Sequence, residues 1–196
     1  MYQYTMNLNT SFTGDDNLYV RLRTGNSGNN FGKKTWAYHP NRYSSTADSL
    51  AVDKIWYQFP FGDSATVWLA PKIENYYMYA ATPSIYKPGA QKAFKLGGLS
   101  AAFGASTATG AGVKYQVGDS PWAFSTNVVS KGARSGSEGF LGNGDTSKWD
   151  TMIAYTKPQW HASLTASVQH NGWNSFSYYS TKKAVDLNNS AMVDGS

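Results

Sequence analysis

The segments YQYTMNLNTSF, residues 2–12, and NLYVRLRT, residues 17–24, are separated only by TGDD, and both alternate between apolar and polar positions. Tyr2, Tyr4, Met6, Leu8 and Phe12 fall on one parity, continued by Leu18, Val20 and Leu22; Gln3, Asn7, Asn9, Arg21 and Arg23 fall on the other. A period of two puts successive side chains on opposite faces of a strand, so the pair reads as a hairpin with one apolar and one polar face. The first run has the length of a tilted membrane-barrel strand, roughly ten residues, and its apolar face ends in aromatics as an interfacial girdle would.

The pattern recurs along the chain. Ala111, Val113, Tyr115 and Val117 oppose Lys114 and Gln116, and after a GDSP turn Trp122, Phe124 and Val128 oppose Ser125 and Asn127. Trp149, Ile153 and Tyr155 share one parity, and Ala162, Leu164, Ala166 and Val168 oppose His161, Ser163, Thr165, Ser167 and Gln169. Around residues 53–73 the alternation is looser: Ile55, Tyr57, Phe59 and Phe61 oppose Lys54, Trp56 and Gln58, then Val67, Leu69 and Ile73 oppose Thr66, Trp68 and Lys72. Pro60 and Pro71 lack an amide donor, which predicts strand ends or bulges at both.

Short turns at 13–16, 62–65, 118–121 and 157–159 alternate with long connections at 25–50, 74–110, 130–148 and from 171 onward. In an antiparallel sheet this gathers the short turns at one end and the long loops at the other, which is the arrangement of an outer-membrane barrel. The expected fold is therefore all-β, an antiparallel transmembrane β-barrel, in the cell outer membrane. The alternative is a soluble or surface carbohydrate-binding β-sandwich without channel activity.

Fourteen Tyr, nine Phe and seven Trp coexist with a mean hydropathy of −0.47, as suits a chain aromatic on one face and polar on the other. No apolar run approaches the length of a membrane helix, and no change of composition marks a second domain, so residues 1–196 read as one unit. Cysteine is absent, which removes disulfides and thiolate chemistry. Met1 leads straight into a strand pattern without a secretory signal, so the expectation is part of a longer precursor.

Two motifs carry a resemblance: LNTSFTGDDNLYVRLRTGN, residues 8–26, and DKIWYQFPFGDSATVWLAP, residues 53–71. They resemble the cyanobacterial outer-membrane porins of the carbohydrate-selective, OprB-like family, and weaker similarity continues through GAGVKYQVGDSPWAFS and WDTMIAYTKPQWHASLTASVQHNG. The resemblance implies a sixteen-stranded channel, of which this chain would hold about half, without the cell-wall-binding module of longer members. It also implies a homotrimer, passive diffusion of small hydrophilic solutes such as ions and sugars, and contact with outer-membrane lipid.

Such a channel uses no catalytic residue, cofactor or metal, and the chain is not expected to be an enzyme. The residues expected to line a lumen are Asn7, Asn9, Arg21, Arg23, Lys54, Lys72, Lys114, Gln116, Asn127 and His161. Five are fixed cations, which predicts attraction of small anions. Trp56, Trp68, Tyr76, Tyr77 and Tyr79 are candidate platforms for a sugar ring, although Trp and Tyr also favour interfacial belts and loop packing. The connection 74–110 is the candidate for a segment folded inward over the polar face, with a concealed strand pair as the competing reading.

His39, His161 and His170 are far apart and no HExxH spacing occurs, which leaves no zinc motif. The formal net charge of +5 is dispersed along the chain, so no nucleic-acid partner is expected.

Overall fold

The computed structural model describes residues 2–26, 46, 48–81, 106–157, 160–170, 174–182, 185–189 and 192–195. Eight strands follow the alternating segments in order: β1 (Gln3–Thr10), β2 (Asn17–Gly25), β3 (Ala51–Phe61), β4 (Ala65–Glu74), β5 (Thr107–Gln116), β6 (Trp122–Ser130), β7 (Lys148–Lys157) and β8 (Trp160–Gln169). Three more, β9 (Asn174–Lys182), β10 (Val185–Asn189) and β11 (Met192–Gly195), occupy the stretch from 171 onward that the sequence reads as a long connection. Each neighbouring pair is antiparallel, and strand order follows chain order from β1 to β10, with β11 returning to pair with β9.

The sheet is open. Strand β1 pairs with β2 and β9 carries both β10 and β11, but no ladder joins β1 to the far end among the described residues. This corrects the expected transmembrane β-barrel, and with it the half of a sixteen-stranded pore. Among the described residues the outer edge of β1 has no partner strand, and in hydrocarbon backbone groups on such an edge would go unsatisfied. The expected channel, its solute transport and the outer-membrane placement are corrected with it: what the described residues form is an open all-β antiparallel sheet. Among the described residues no helix is long and apolar enough to cross a membrane, which bears on helices alone.

Alternation holds in the folded chain, but its usual sense is inverted. The polar parity is buried: Ser125 and Asn127 on β6, Lys148 and Asp150 on β7, and His161, Ser163, Thr165 and Ser167 on β8. The apolar parity is exposed, including Tyr4, Met6, Leu8, Leu69, Phe124, Trp149, Ile153, Leu164 and Val168.

What covers the polar face is the chain directly after β4. A 3-10 turn at Asn75–Met78 leads into Tyr79–Ala81, which lies across the inner side of β5 to β7. Met78 and Ile73 are fully buried with Trp68, Ala108 and Val129, while Tyr79 and Ala80 pack on Ala123, Met152 and Ala154. Each fully buried side chain of this size contributes ~2 kcal/mol, so a short segment with two apolar anchors can seat itself on a polar floor. The remainder of the long connection lies outside the described residues.

Two buried aspartates fix connections at opposite ends of strands. Asp16 accepts from the Ser11 and Tyr57 hydroxyls and from the Phe12 and Thr13 amides, closing the first turn and holding its carboxyl well below the usual range. Asp145 accepts from the amides of Gly132 and Leu141 and the hydroxyls of Ser130 and Ser147. Burial alone would raise the Asp145 pKa, but these donors outweigh it and hold the value at about 2.

Candidate functional site

The most connected charged cluster sits on the polar face of β2 to β4, and a backbone irregularity assembles it. Arg21 and Arg23 are two apart on β2 and share a face. Arg21 pairs with Lys54 on β3 and Leu22 with Val52, so Asp53 is an extra residue, a bulge between the two pairs. Regular alternation would send Asp53 to the face opposite Lys54. The bulge re-aims it, and both arginines converge on its carboxylate, Arg21 Nη1 at 3.5 Å and Arg23 Nη1 at 3.3 Å.

Lys54, only 4% exposed, pairs with Glu74 at 2.6 Å. Burial lowers the Lys54 pKa, and the Glu74 carboxylate partly restores it. The Tyr76 hydroxyl donates to the same Glu74, and burial together with Glu74 raises the pKa of Tyr76 and of Tyr77.

Aromatic rings floor the cluster. Tyr19 stacks on Trp56 with centroids 4.0 Å apart, Trp56 meets Tyr77 at 4.8 Å, and Tyr77 stacks on Tyr76 at 4.8 Å. Tyr19 and Trp56 are buried by this packing, whereas Tyr76 and Tyr77 remain partly open. Arg21 Nε donates to the Tyr19 hydroxyl at 2.9 Å and to Asn7 Oδ1 at 3.1 Å, and Tyr19 also donates to Asn7 at 2.6 Å. Arg21 Nη2 reaches the Tyr77 hydroxyl at 3.4 Å, so the segment after β4 closes one side of the cluster.

A second cluster lies under that segment. Asp150 is fully buried, accepts from Asn75 Nδ2 at 2.7 Å and the Tyr79 hydroxyl at 3.1 Å, and pairs with Lys148 at 3.2 Å. Ser167 donates to its other side. Burial lowers the Lys148 pKa against the pull of Asp150, and burial together with Asp150 raises that of Tyr79 well above its ordinary value. The Asp150 contacts are satisfied from all sides within the protein, which is the chemistry of a tether.

The ten expected polar-face residues separate. Arg21, Arg23, Asn7 and Lys54 come together in the first cluster, and Asn9 follows on β1 with its Oδ1 accepting from Asn17 at 3.3 Å. Asn127 lies buried between Gly112 and Asp150. His161 is buried further along β8, with Nδ1 2.9 Å from the Thr156 hydroxyl, and burial lowers its pKa to about 4. Lys114 pairs with Ser125, and Gln116 turns back to the carbonyls of Ser120 and Trp122. Lys72 pairs with Ile55 on the apolar parity, and its amine donates to the Val52 carbonyl at 3.0 Å.

Of the five aromatic candidates, Tyr76 and Tyr77 border the charged cluster, Trp56 lies beneath it, and Trp68 is buried with its indole donating to Gln58 at 3.1 Å. Tyr79 belongs to the Asp150 tether. Sequence reasoning missed Asp53, Glu74 and Asp150. Among the described residues no group of three His, Cys, Asp or Glu side chains could hold a metal ion.

No family model, no curated protein and no solved structure matches the chain. The resemblance to OprB-like porins is therefore corrected: short turn-and-strand motifs such as LNTSFTG and FPFGD suit many hairpins, and the architecture carrying them is an open sheet.

Proposed function

We propose that the polar face of β1 to β4, with Tyr76 and Tyr77 as its wall, is a carbohydrate-binding surface that works without forming a channel. The observation that carries this reading is the meeting of partly open stacked tyrosines with planar hydrogen-bonding groups, Arg21, Arg23, Asp53 and Asn7, on one rigid sheet. A saccharide has an apolar C–H face that packs on an aromatic ring and a rim of hydroxyls that both donate and accept. Arginine supplies donors only, the carboxylate acceptors only, and the asparagine amide both. Together they offer the few placed polar groups around an apolar body that small-ligand sites use.

Pre-organisation supports the same reading. Each ring in the row Tyr19, Trp56, Tyr77 and Tyr76 is held by the next, so the open pair requires little ordering when a ligand arrives. Calorimetric titration with a panel of neutral and acidic oligosaccharides tests the proposal. Saturable binding that Tyr77→Ala weakens at least tenfold, with the strand content retained by circular dichroism, is the expected result. Absence of saturable binding across the panel by a folded protein defeats it.

A further inference from the structure

On the face of the sheet opposite the carbohydrate surface, we infer a binding site for one long-chain fatty acid, its acyl chain on the strands and its carboxylate at Arg134. Two cavities lie there, of about 600 and 680 Å³. The first is lined by Val67, Val113, Val128, Trp149 and Val168, one residue from each strand from β4 to β8. The second is lined by Leu18, Ile55, Leu69 and Thr109, one from each strand from β2 to β5. They adjoin where Leu69, in the second, pairs with Ala111, in the first. Ala111 also pairs with Val128, so a methyl group sits between two larger side chains and leaves a trough. Five strands at ~4.8 Å spacing extend across roughly 19 Å, room for an acyl chain laid over them.

The connection between β6 and β7, residues 131–147, contributes to both cavities: Phe140 and Leu141 line the first and Arg134 the second. Asp145 ties it down through the amides of Gly132 and Leu141, at 2.7 and 2.9 Å. Leu141 is held at φ 59°, in the left-handed region that leucine avoids, so the fold rather than the residue's own preference sets its place. Phe140 and Leu141 are each more than half exposed, which leaves their apolar surface available to a ligand. Hydroxyls along the trough are spent within the protein. Thr126 Oγ1 accepts from Trp149 Nε1 at 2.7 Å and lies 3.1 Å from Thr151 Oγ1, and Thr109 Oγ1 donates to the Pro71 carbonyl at 2.8 Å. Arg134, by contrast, is exposed and enters no ion pair or side-chain hydrogen bond among the described residues. Among those residues it is also the one Lys, Arg, Asp or Glu that lines either cavity. An apolar cavity of this size with few placed polar groups is the usual form of a small-ligand site. The charge selects the ligand, because a guanidinium receives a carboxylate in a bidentate pair while the methylenes leave water on the strands.

Calorimetric titration with tetradecanoate, decanoate and tetradecyltrimethylammonium, each below its micelle-forming concentration at neutral pH, tests the site. Tetradecanoate should saturate at one molecule per chain. It should bind at least tenfold more tightly than decanoate, because the longer chain withdraws more methylenes from water, and at least tenfold more tightly than the cation of equal chain length. Arg134→Gln should weaken tetradecanoate at least fivefold without weakening the cation, and Phe140→Ser should weaken both severalfold. Both side chains are exposed, so the strand signal in circular dichroism should match the parent's. Equal affinity for the acid and the cation overturns the inference, as does a tetradecanoate affinity that survives Arg134→Gln. Saturation at several molecules per chain overturns it by showing a general apolar surface. Binding to phosphatidylcholine vesicles by a protein that ignores monomeric tetradecanoate overturns it by showing a membrane contact.

Discussion

His161 shows what one residue experiences when a polar face is turned inward. It is 1% exposed, its Nδ1 meets the Thr156 hydroxyl, and burial is the cause that lowers its pKa from 6.5 to about 4. The unfolded chain therefore binds a proton between those values that the folded chain refuses. Stability contributed by the neutral ring is present above pH 6.5, falls as pH drops through the window down to about 4, and levels off below it. Urea titrations at pH 7 and pH 4.5 should differ by on the order of 2 kcal/mol from this group, and His161→Gln should remove most of that difference. An unchanged pH dependence in the variant would show that the ring titrates normally. The sequence places His161 on the polar parity of its strand, but polar parity suggested water, and only the coordinates show that the position is dry. Asp53 and Lys72 were illegible for a related reason: a bulge shifts parity by one residue, turning Asp53 toward the arginines, and the irregularity around Pro71 puts Lys72 opposite Ile55.

At the scale of an element, the segment after β4 is the piece that converts an alternating sheet into a site. The looseness of the pattern near Pro71 and the length of the following connection made an inward fold legible; the anchoring chemistry was not. Asn75 and Tyr79 reach an aspartate more than seventy residues away in sequence, and nothing in a local pattern pairs them. Gly112 makes room for this docking. A Cβ built there would lie 2.7 Å from Asn127 Cβ and 2.8 Å from Met78 Sδ, so one methyl group presses on both the neighbouring strand and the docked segment. Gly112→Ala should cost about 2 kcal/mol of stability, the usual range for overpacking. It should also loosen the segment that carries Tyr76 and Tyr77, weakening oligosaccharide binding although neither ring is altered. Amide exchange at Asn75–Met78 is the direct readout, and protection equal to the parent's would show that the sheet absorbs the methyl group without moving the segment.

Over the whole molecule, strand content and the division into two faces were legible because alternation is a local property repeated eight times. Closure was not, because the same parity serves a barrel, a sandwich or an open sheet, and the choice depends on whether β1 finds a partner at the far end. The open sheet leaves an apolar face bare: Leu8, Leu69, Phe124, Trp149, Ile153, Leu164 and Val168 are each more than a third exposed. The largest apolar patch on an ordinary monomer covers roughly 300–600 Å² and is commonly functional. Seven large side chains spread from β1 to β8 on one parity extend across the width of the sheet. A dye that fluoresces in apolar surroundings, such as anilinonaphthalene sulfonate, should bind the native protein in buffer at neutral pH without any loss of strand signal. Replacing Phe124 and Ile153, cross-strand partners on that face, by serine should reduce the emission, because an aromatic ring and the branched aliphatic chain beside it are removed together. Replacing Asn127 on the opposite face by serine should leave it unchanged. Native emission no greater than that of a protein with a polar surface would show that this face is covered in solution, and the exposure of Trp149 and its neighbours would then have to be reassigned to a contact.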